Sequence, residues 1–149
     1  RIMENFRVTQ KFNIEHLTVD NMLWILIHMV LSDRQRRLLA ADYAERALYR
    51  QQEAGHKVDM RSWRAIKAAR DFVDGELSSK ILNDVALFAV SEEFAAYSAA
   101  SSAKDNSVIA AEEAASWGSA AAAEWDAAPA GEDELKWQLD RALEYARKE

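Results

Sequence analysis

Few residues in this chain combine the types and spacing that chemistry needs. The three histidines, His16, His28 and His56, are scattered, and no two of them are four residues apart. Neither HExxH nor an EF-hand loop occurs, so the helical zinc and calcium signatures are missing. His28 sits in an apolar run and reads as a hydrogen-bonded core histidine, and His56 beside Gly55 reads as a solvated loop residue. Asp71, Asp74 and Glu76 bring three carboxylates together, which is one way to hold a divalent ion. Asp71 and Asp74 share a helix face, but a helix C-terminus disfavours anions, and the competing reading is a solvated helix end closed by Gly75. His56 with Asp59 is the other group that a small helical metal-binding enzyme would use.

Paired acids, Glu92-Glu93 and Glu112-Glu113, recur in an alanine-dominated stretch, with Glu124 and Asp126 near its end. Two carboxylates can divide acid and base roles when a cleft pushes their pKa values apart. Neighbours in a helix diverge by about 100°, so neither pair converges on a substrate. They read as solvated acidic faces. Ser98, Ser101, Ser102, Ser116 and Ser119 lack a GxSxG nucleophile signature and read as small residues that permit close helix contact. No catalytic residue, metal site or cofactor is expected, and the chain reads as a non-enzyme.

Composition points the same way. The 149 residues suit one domain, half of them are apolar, and only four Gly and one Pro punctuate the chain. Cysteine is absent, so there are no disulfides or thiolate sites, which fits a reducing cytoplasm. The apolar run from Leu23 to Leu31 is about nine residues, far short of the ~20 that a membrane span requires. No leader pattern is visible, and Met3 is the expected natural start after Arg1-Ile2. A cytoplasmic protein without a membrane partner is expected. The net charge of −6 is uneven: residues 1–75 carry 13 Lys/Arg against 10 Asp/Glu, and residues 76–149 carry 6 against 15. An acidic C-terminal half disfavours direct nucleic-acid binding and suits a protein with a basic face.

These residues must be positioned by helices. Residues 1–17 lack helical periodicity, and Phe6 to Phe12 alternates weakly, as an arm or short strand would. The rest, 18–149, reads as an all-α bundle of about six helices. The first follows a cap at Thr18 or Asp20, runs to Val30, is apolar almost all round and is expected to be the most buried. The second runs from Arg34, behind Ser32-Asp33, to about Glu53, with Leu38, Ala41, Ala44 and Leu48 inward and Arg36, Arg46 and Arg50 outward. A third ends near Asp74 with Trp63, Ile66, Ala69 and Val73 on one side. A fourth spans about 79–103, and a fifth starts at Asn106 or Ser107 and runs to about 127. A last helix begins among Glu132, Asp133 and Glu134, with Leu135, Leu139, Ala142 and Ala146 inward. The fourth and fifth are expected to form an antiparallel hairpin turning at Lys104-Asp105-Asn106, closed through inward alanines such as Ala96, Ala100, Ala111 and Ala115. Trp24, Trp63, Trp117, Trp125 and Trp137 are expected to fill the space that alanine leaves.

Several stretches occur in a suggestive order. Leu39-Ala40-Ala41-Asp42-Tyr43-Ala44-Glu45-Arg46-Ala47-Leu48 precedes Asp59-Met60-Arg61-Ser62-Trp63-Arg64-Ala65-Ile66-Lys67-Ala68-Ala69-Arg70. Gly75-Glu76, the Ala/Trp-rich stretch and Lys136-Trp137-Gln138-Leu139-Asp140-Arg141-Ala142-Leu143-Glu144-Tyr145 follow. Over roughly residues 32–147 this resembles the Ala-rich putative immunity proteins (the Imm-5-like group) of bacteria and phages. The resemblance implies a protein that binds and neutralises a toxin or effector, and it brings no catalytic residues. The expected partner has a basic surface, and the expected contact residues are Glu92, Glu93, Glu112, Glu113, Glu124 and Asp126. Against a nuclease these acids would stand in for substrate phosphates. The alternatives are a phage-encoded inhibitor of a host defence complex (anti-CRISPR or similar), the small metal-binding enzyme, and an assembly subunit that self-associates through alanine.

Overall fold

Local capping chemistry starts and stops the helices where the sequence places those signals. The computed structural model describes residues 18–76, 78, 80, 107–125 and 130–148, with the side chains of 117–132 excepted. Among them every regular element is a helix. The Thr18 hydroxyl accepts the Asn21 N–H at 3.2 Å and opens α1, Val19–Ile25. Ser32 and Gln35 form a reciprocal capping box that opens α2, Asp33–Glu53. Asp59 accepts the Arg61 N–H at 2.8 Å and opens α3, Met60–Val73. Side-chain and backbone hydrogen bonds from Arg61 lower the Asp59 carboxyl to about 2. Gly55 (φ 91°) closes α2 and Gly75 (φ 77°) closes α3, in a left-handed conformation that favours glycine. α4 is Ser107–Trp125 and α5 is Ala130–Arg147.

α1 does not continue as a regular α-helix. Leu26–Val30 winds into a π-helical turn, in which the Leu31 N–H reaches the Leu26 carbonyl at 2.9 Å, five residues back. The wider turn rotates the apolar face, so Leu26, Ile27 and Leu31 are buried and Met29 faces out.

α2 is the central helix. Leu39 to Ala44, Ala47 and Leu48 are all buried, so its middle is enclosed on every side. α3 returns antiparallel along it: Arg34 meets Val73 and Asp74, and Tyr49 packs on Trp63. α5 is also antiparallel to α2, with Gln35 at its C-terminal end and Arg46 and Arg50 at Glu134 near its start. α4 runs parallel to α2, beginning beside Asp33 and Arg36 and passing Ala115 near the level of Tyr43 and Gln138. α2 and α4 share the most extensive helix contact among the described residues. Both sides are rich in buried alanine, namely Ala40, Ala41, Ala44 and Ala47 against Ala110, Ala111, Ala114 and Ala115. Small side chains let the two backbones approach closely. α1 crosses the outside of this pair, against α5 and α4.

Three consecutive residues at the start of α2 bind the C-terminal ends of three other segments. Arg34 donates to the Val73 carbonyl at 3.1 Å and to Asp74 at 2.9 Å. Gln35 donates to the Tyr145 and Lys148 carbonyls at 2.6 and 3.0 Å. Arg36 donates to the carbonyls of Leu31 and, at 3.1 Å, Ile27. The same guanidinium holds Ser107, the first residue of α4, at 2.8 Å and Asp33 at 2.7 Å. Ser107 donates in turn to Asp33 at 2.6 Å. That bond and the Arg36 pair hold the Asp33 carboxyl below its ordinary range.

Several expectations are corrected by this arrangement. α2, not the apolar helix α1, is the most buried: its middle is enclosed, whereas α1 leaves Trp24 54% exposed. Arg36, Arg46 and Arg50 point inward rather than outward, since helix ends and a buried carboxylate need their donors. α5 starts at Ala130, two residues before the acids. Ala111 and Ala115 are inward as expected, but the helix they line packs on α2; the segment 79–103 and the turn at 104–106 lie outside the described residues, as does the expected arm at 1–17. Ala111 has no exposure and no room. Ala111→Leu is therefore expected to cost about 1–3 kcal/mol and lower the melting temperature by roughly 3–10 °C, whereas Glu113→Gln leaves it unchanged. Thermal melts of the two variants check this, and a neutral Ala111→Leu would contradict the α2–α4 contact.

Candidate interaction surface

The period of α4 separates a packing face from a chemical one. Ala110, Ala111, Ala114 and Ala115 are buried, while Ile109, Glu112, Glu113 and Ser116 are exposed on the opposite side. With alanine inside, Ile109, Glu112 and Glu113 are turned to solvent. The adjoining edge of α1 carries Asp20, Trp24 and His28 at successive turns. The His28 ring stacks on Trp24 with centroids 4.2 Å apart, and its Nε2 lies 2.5 Å from the Glu112 carboxylate. No aligned hydrogen bond forms there, so the contact is a close approach of charge to the ring, an ion pair when the imidazole is protonated.

Trp24, His28 and Glu112 are thus linked in a row across the seam between the π-turn and α4, with Ile109 on the same outer face of α4 as Glu112 and Met29 next to His28 in the chain. Trp24 is 54%, Met29 65% and Ile109 45% exposed. Asp20, Glu112 and Glu113 add negative charge at its edges. Of the expected contact residues, the structure places Glu112 and Glu113 here. Glu124 lies on α4 with its side chain outside the described residues, and Glu92, Glu93 and Asp126 lie wholly outside them. Sequence reasoning missed Trp24, Met29 and His28, all assigned to the core or left unremarked: the π-turn that carries His28 and Met29 has no periodic signature, and Trp24 stands in an apolar run that gives no sign of which side faces out.

A second polar constellation lies inside the bundle. Asp42 accepts from Arg70 at 2.8 Å, Arg141 at 2.9 Å and the Tyr145 hydroxyl at 2.6 Å, and Arg70 also reaches Glu45 at 2.6 Å. Burial opposes the Arg70 charge, but Glu45 and Asp42 outweigh it and raise its pKa; burial and then the bond to Asp42 push the Tyr145 hydroxyl up. Glu134 has no exposure and accepts from Arg46 at 2.7 Å, Arg50 at 2.8 Å and Gln138 at 3.1 Å. Arg46 also lies over the Trp137 ring at 4.3 Å. Tyr43 donates to the Gln138 carbonyl at 2.6 Å and Gln138 to that of Ala115 at 3.0 Å. Each of these carboxylates is engaged by protein donors, and the network ties α2 to α3 and α5.

Three of the four carboxylates of the metal alternative are ion-paired within the chain. Asp71 pairs with Lys67 at 2.6 Å, Asp74 with Arg34, and Asp59 with Arg61 at 3.0 Å. Among the described residues no group of three or more His, Asp or Glu is placed to hold a metal ion, and no helix is long and apolar enough to cross a membrane.

No protein-family model, curated protein or solved structure matches this chain. The resemblance to Ala-rich immunity proteins therefore rests on the residues quoted for it alone.

The inner network and the outer surface should separate under mutation. Removing one member of a buried ion pair strands its partners, so Glu134→Ala is expected to cost about 3–5 kcal/mol. Glu112→Gln, at a half-exposed pair, is expected to change stability by less than about 1 kcal/mol. Denaturant titration of both variants checks this; equal losses would mean that the surface acid is structural.

Proposed function

We propose that this chain is a non-enzymatic interaction protein that binds and neutralises a protein toxin or effector, meeting it in the cytoplasm through an acidic helical face. Glu112 and Glu113 form the described part of that face, and Glu92, Glu93, Glu124 and Asp126 are assigned to its extension. The observation that carries the reading is the exposure of Glu112 and Glu113 on the face of α4 that also exposes Ile109, with Glu112 against His28 and His28 stacked on the exposed Trp24. Large apolar side chains gathered at one exposed site mark protein contact, and aromatic anchors ringed by polar groups dominate binding energy. The acidic excess of residues 76–149 favours a partner with a basic face. If that partner is a nuclease, the carboxylates occupy the groove that binds phosphate. The resemblance to immunity proteins supports the toxin or effector class.

The test is calorimetry with the protein encoded by the adjacent gene, co-expressed and purified with this chain. Affinity is expected to weaken at least about tenfold between roughly 50 and 300 mM salt, because exposed charges more than a Debye length apart become screened. Glu112→Gln combined with Glu113→Gln should weaken binding at low salt and leave the melting temperature unchanged. Affinity independent of both salt and these two residues contradicts the acidic-face mechanism.

A further inference from the structure

The seam between α1 and α4 has a chemistry that narrows what the partner presents. The Trp24–His28 stack meets Glu112 there, with exposed Met29 on the π-turn, exposed Ile109 one turn before Glu112 on α4, and further acids at Asp20 on α1 and Glu113 on α4. A third helix laid along such a seam packs its ridges into the groove between the two. Its apolar residues must recur every three or four positions to meet Trp24 and Ile109 together. Its flanks must be cationic, because the rim acids face them. Methionine adapts to varied apolar shapes, which suits a surface that receives a helix from outside. His28 stands at the centre, already 2.5 Å from Glu112. An incoming Lys or Arg ammonium or guanidinium competes with it for that carboxylate. The π-turn at Leu26–Val30 carries both His28 and Met29.

We infer that the occupant of this seam is a basic amphipathic helix carried by the partner protein. This rests on the proposed interaction role and specifies the partner's chemistry at Trp24, Met29, Ile109, Glu112 and Glu113.

The probe is a fluorescent peptide of about 18 residues with Leu at helical spacing and Lys on its flanks, long enough to span about 27 Å as a helix. Binding is followed by anisotropy at about 100 mM salt, where Glu replaces Lys in a control peptide. The Lys peptide is expected to bind and the Glu peptide not to. Trp24→Ala, and separately Glu112→Gln with Glu113→Gln, are expected to weaken binding about tenfold or more. Glu53→Gln with Glu76→Gln removes the same charge from exposed sites near α2 and α3, and should leave it unchanged. Melting curves confirm that each variant is folded, and the acid-to-amide variants keep the test decisive if Trp24→Ala is not. Equal losses in the two acid-to-amide pairs would reduce the effect to overall charge and overturn the inference. Dimerisation of the free chain that Trp24→Ala abolishes would assign the seam to a second copy and overturn it too. If the peptide fails while the partner protein still depends on Glu112 and Glu113, the helix chemistry is wrong and the interaction role stands. If the peptide binds here and the partner protein ignores these residues, the seam is right and the proposed function is wrong.

Discussion

The first turn of α2 gathers the ends of every other described helix. A helix terminus leaves several carbonyls or N–H groups without intrahelical partners, and burying them unpaired is costly. Arg34, Gln35 and Arg36 answer that need for α3, α5 and the π-turn after α1, and Arg36 adds Ser107 at the start of α4. A helix C-terminus attracts cations, so two arginines suit these positions electrostatically as well as geometrically. The capping box ties the same turn to itself, with Gln35 using its amide oxygen on Ser32 and its amide nitrogen on α5. One guanidinium therefore fixes where α1 ends relative to where α4 begins. That relation sets the seam in which Trp24, His28 and Glu112 meet.

Along the bundle, alanine and charge divide the remaining labour. The α2–α4 contact is made of small side chains that allow close approach but carry little shape to define a register. Definition comes from α5, whose Glu134, Gln138, Arg141 and Tyr145 face Arg46, Arg50, Tyr43 and Asp42 in antiparallel order. A slip of one residue would leave Glu134 buried without its arginines, at a cost of several kcal/mol. The interior charges are paired among themselves, while on the outer side of α4 Glu112 and Glu113 are exposed and Glu112 meets only the half-buried His28 among the described ion pairs.

Much of the helical order was readable because its signals are local. Thr18, Ser32, Gly55 and Gly75 mark ends by capping or by a left-handed turn, and each stands where a helix starts or stops. The 3.6-residue period correctly separated Ala111 and Ala115 from Glu112 and Glu113. The inward turn of Arg36, Arg46 and Arg50 was not readable in the same way, since a charged residue on a helix reads as solvated unless its partner is known. Its one trace is a pair of complementary polar stripes: Gln35, Asp42, Arg46 and Arg50 on one helix, Glu134, Gln138, Arg141 and Tyr145 on another. Met29 lies on a π-turn, which adds one residue without changing composition, and Trp24 precedes it in an apolar run whose outward side nothing in the sequence marks. Hydrophobicity alone therefore placed α1 too deep.

Amide hydrogen exchange of an Arg36→Leu variant, against the original chain, tests most directly whether one turn of α2 positions the surface. The account predicts faster exchange at two separated places together, the π-turn up to Leu31 and the first turns of α4, because one guanidinium holds both. Protection in the middle of α2, from Leu39 to Leu48, should persist while the chain remains folded. Acceleration confined to residues 32–36, with Leu31 and Ala111 as slow as before, would contradict it.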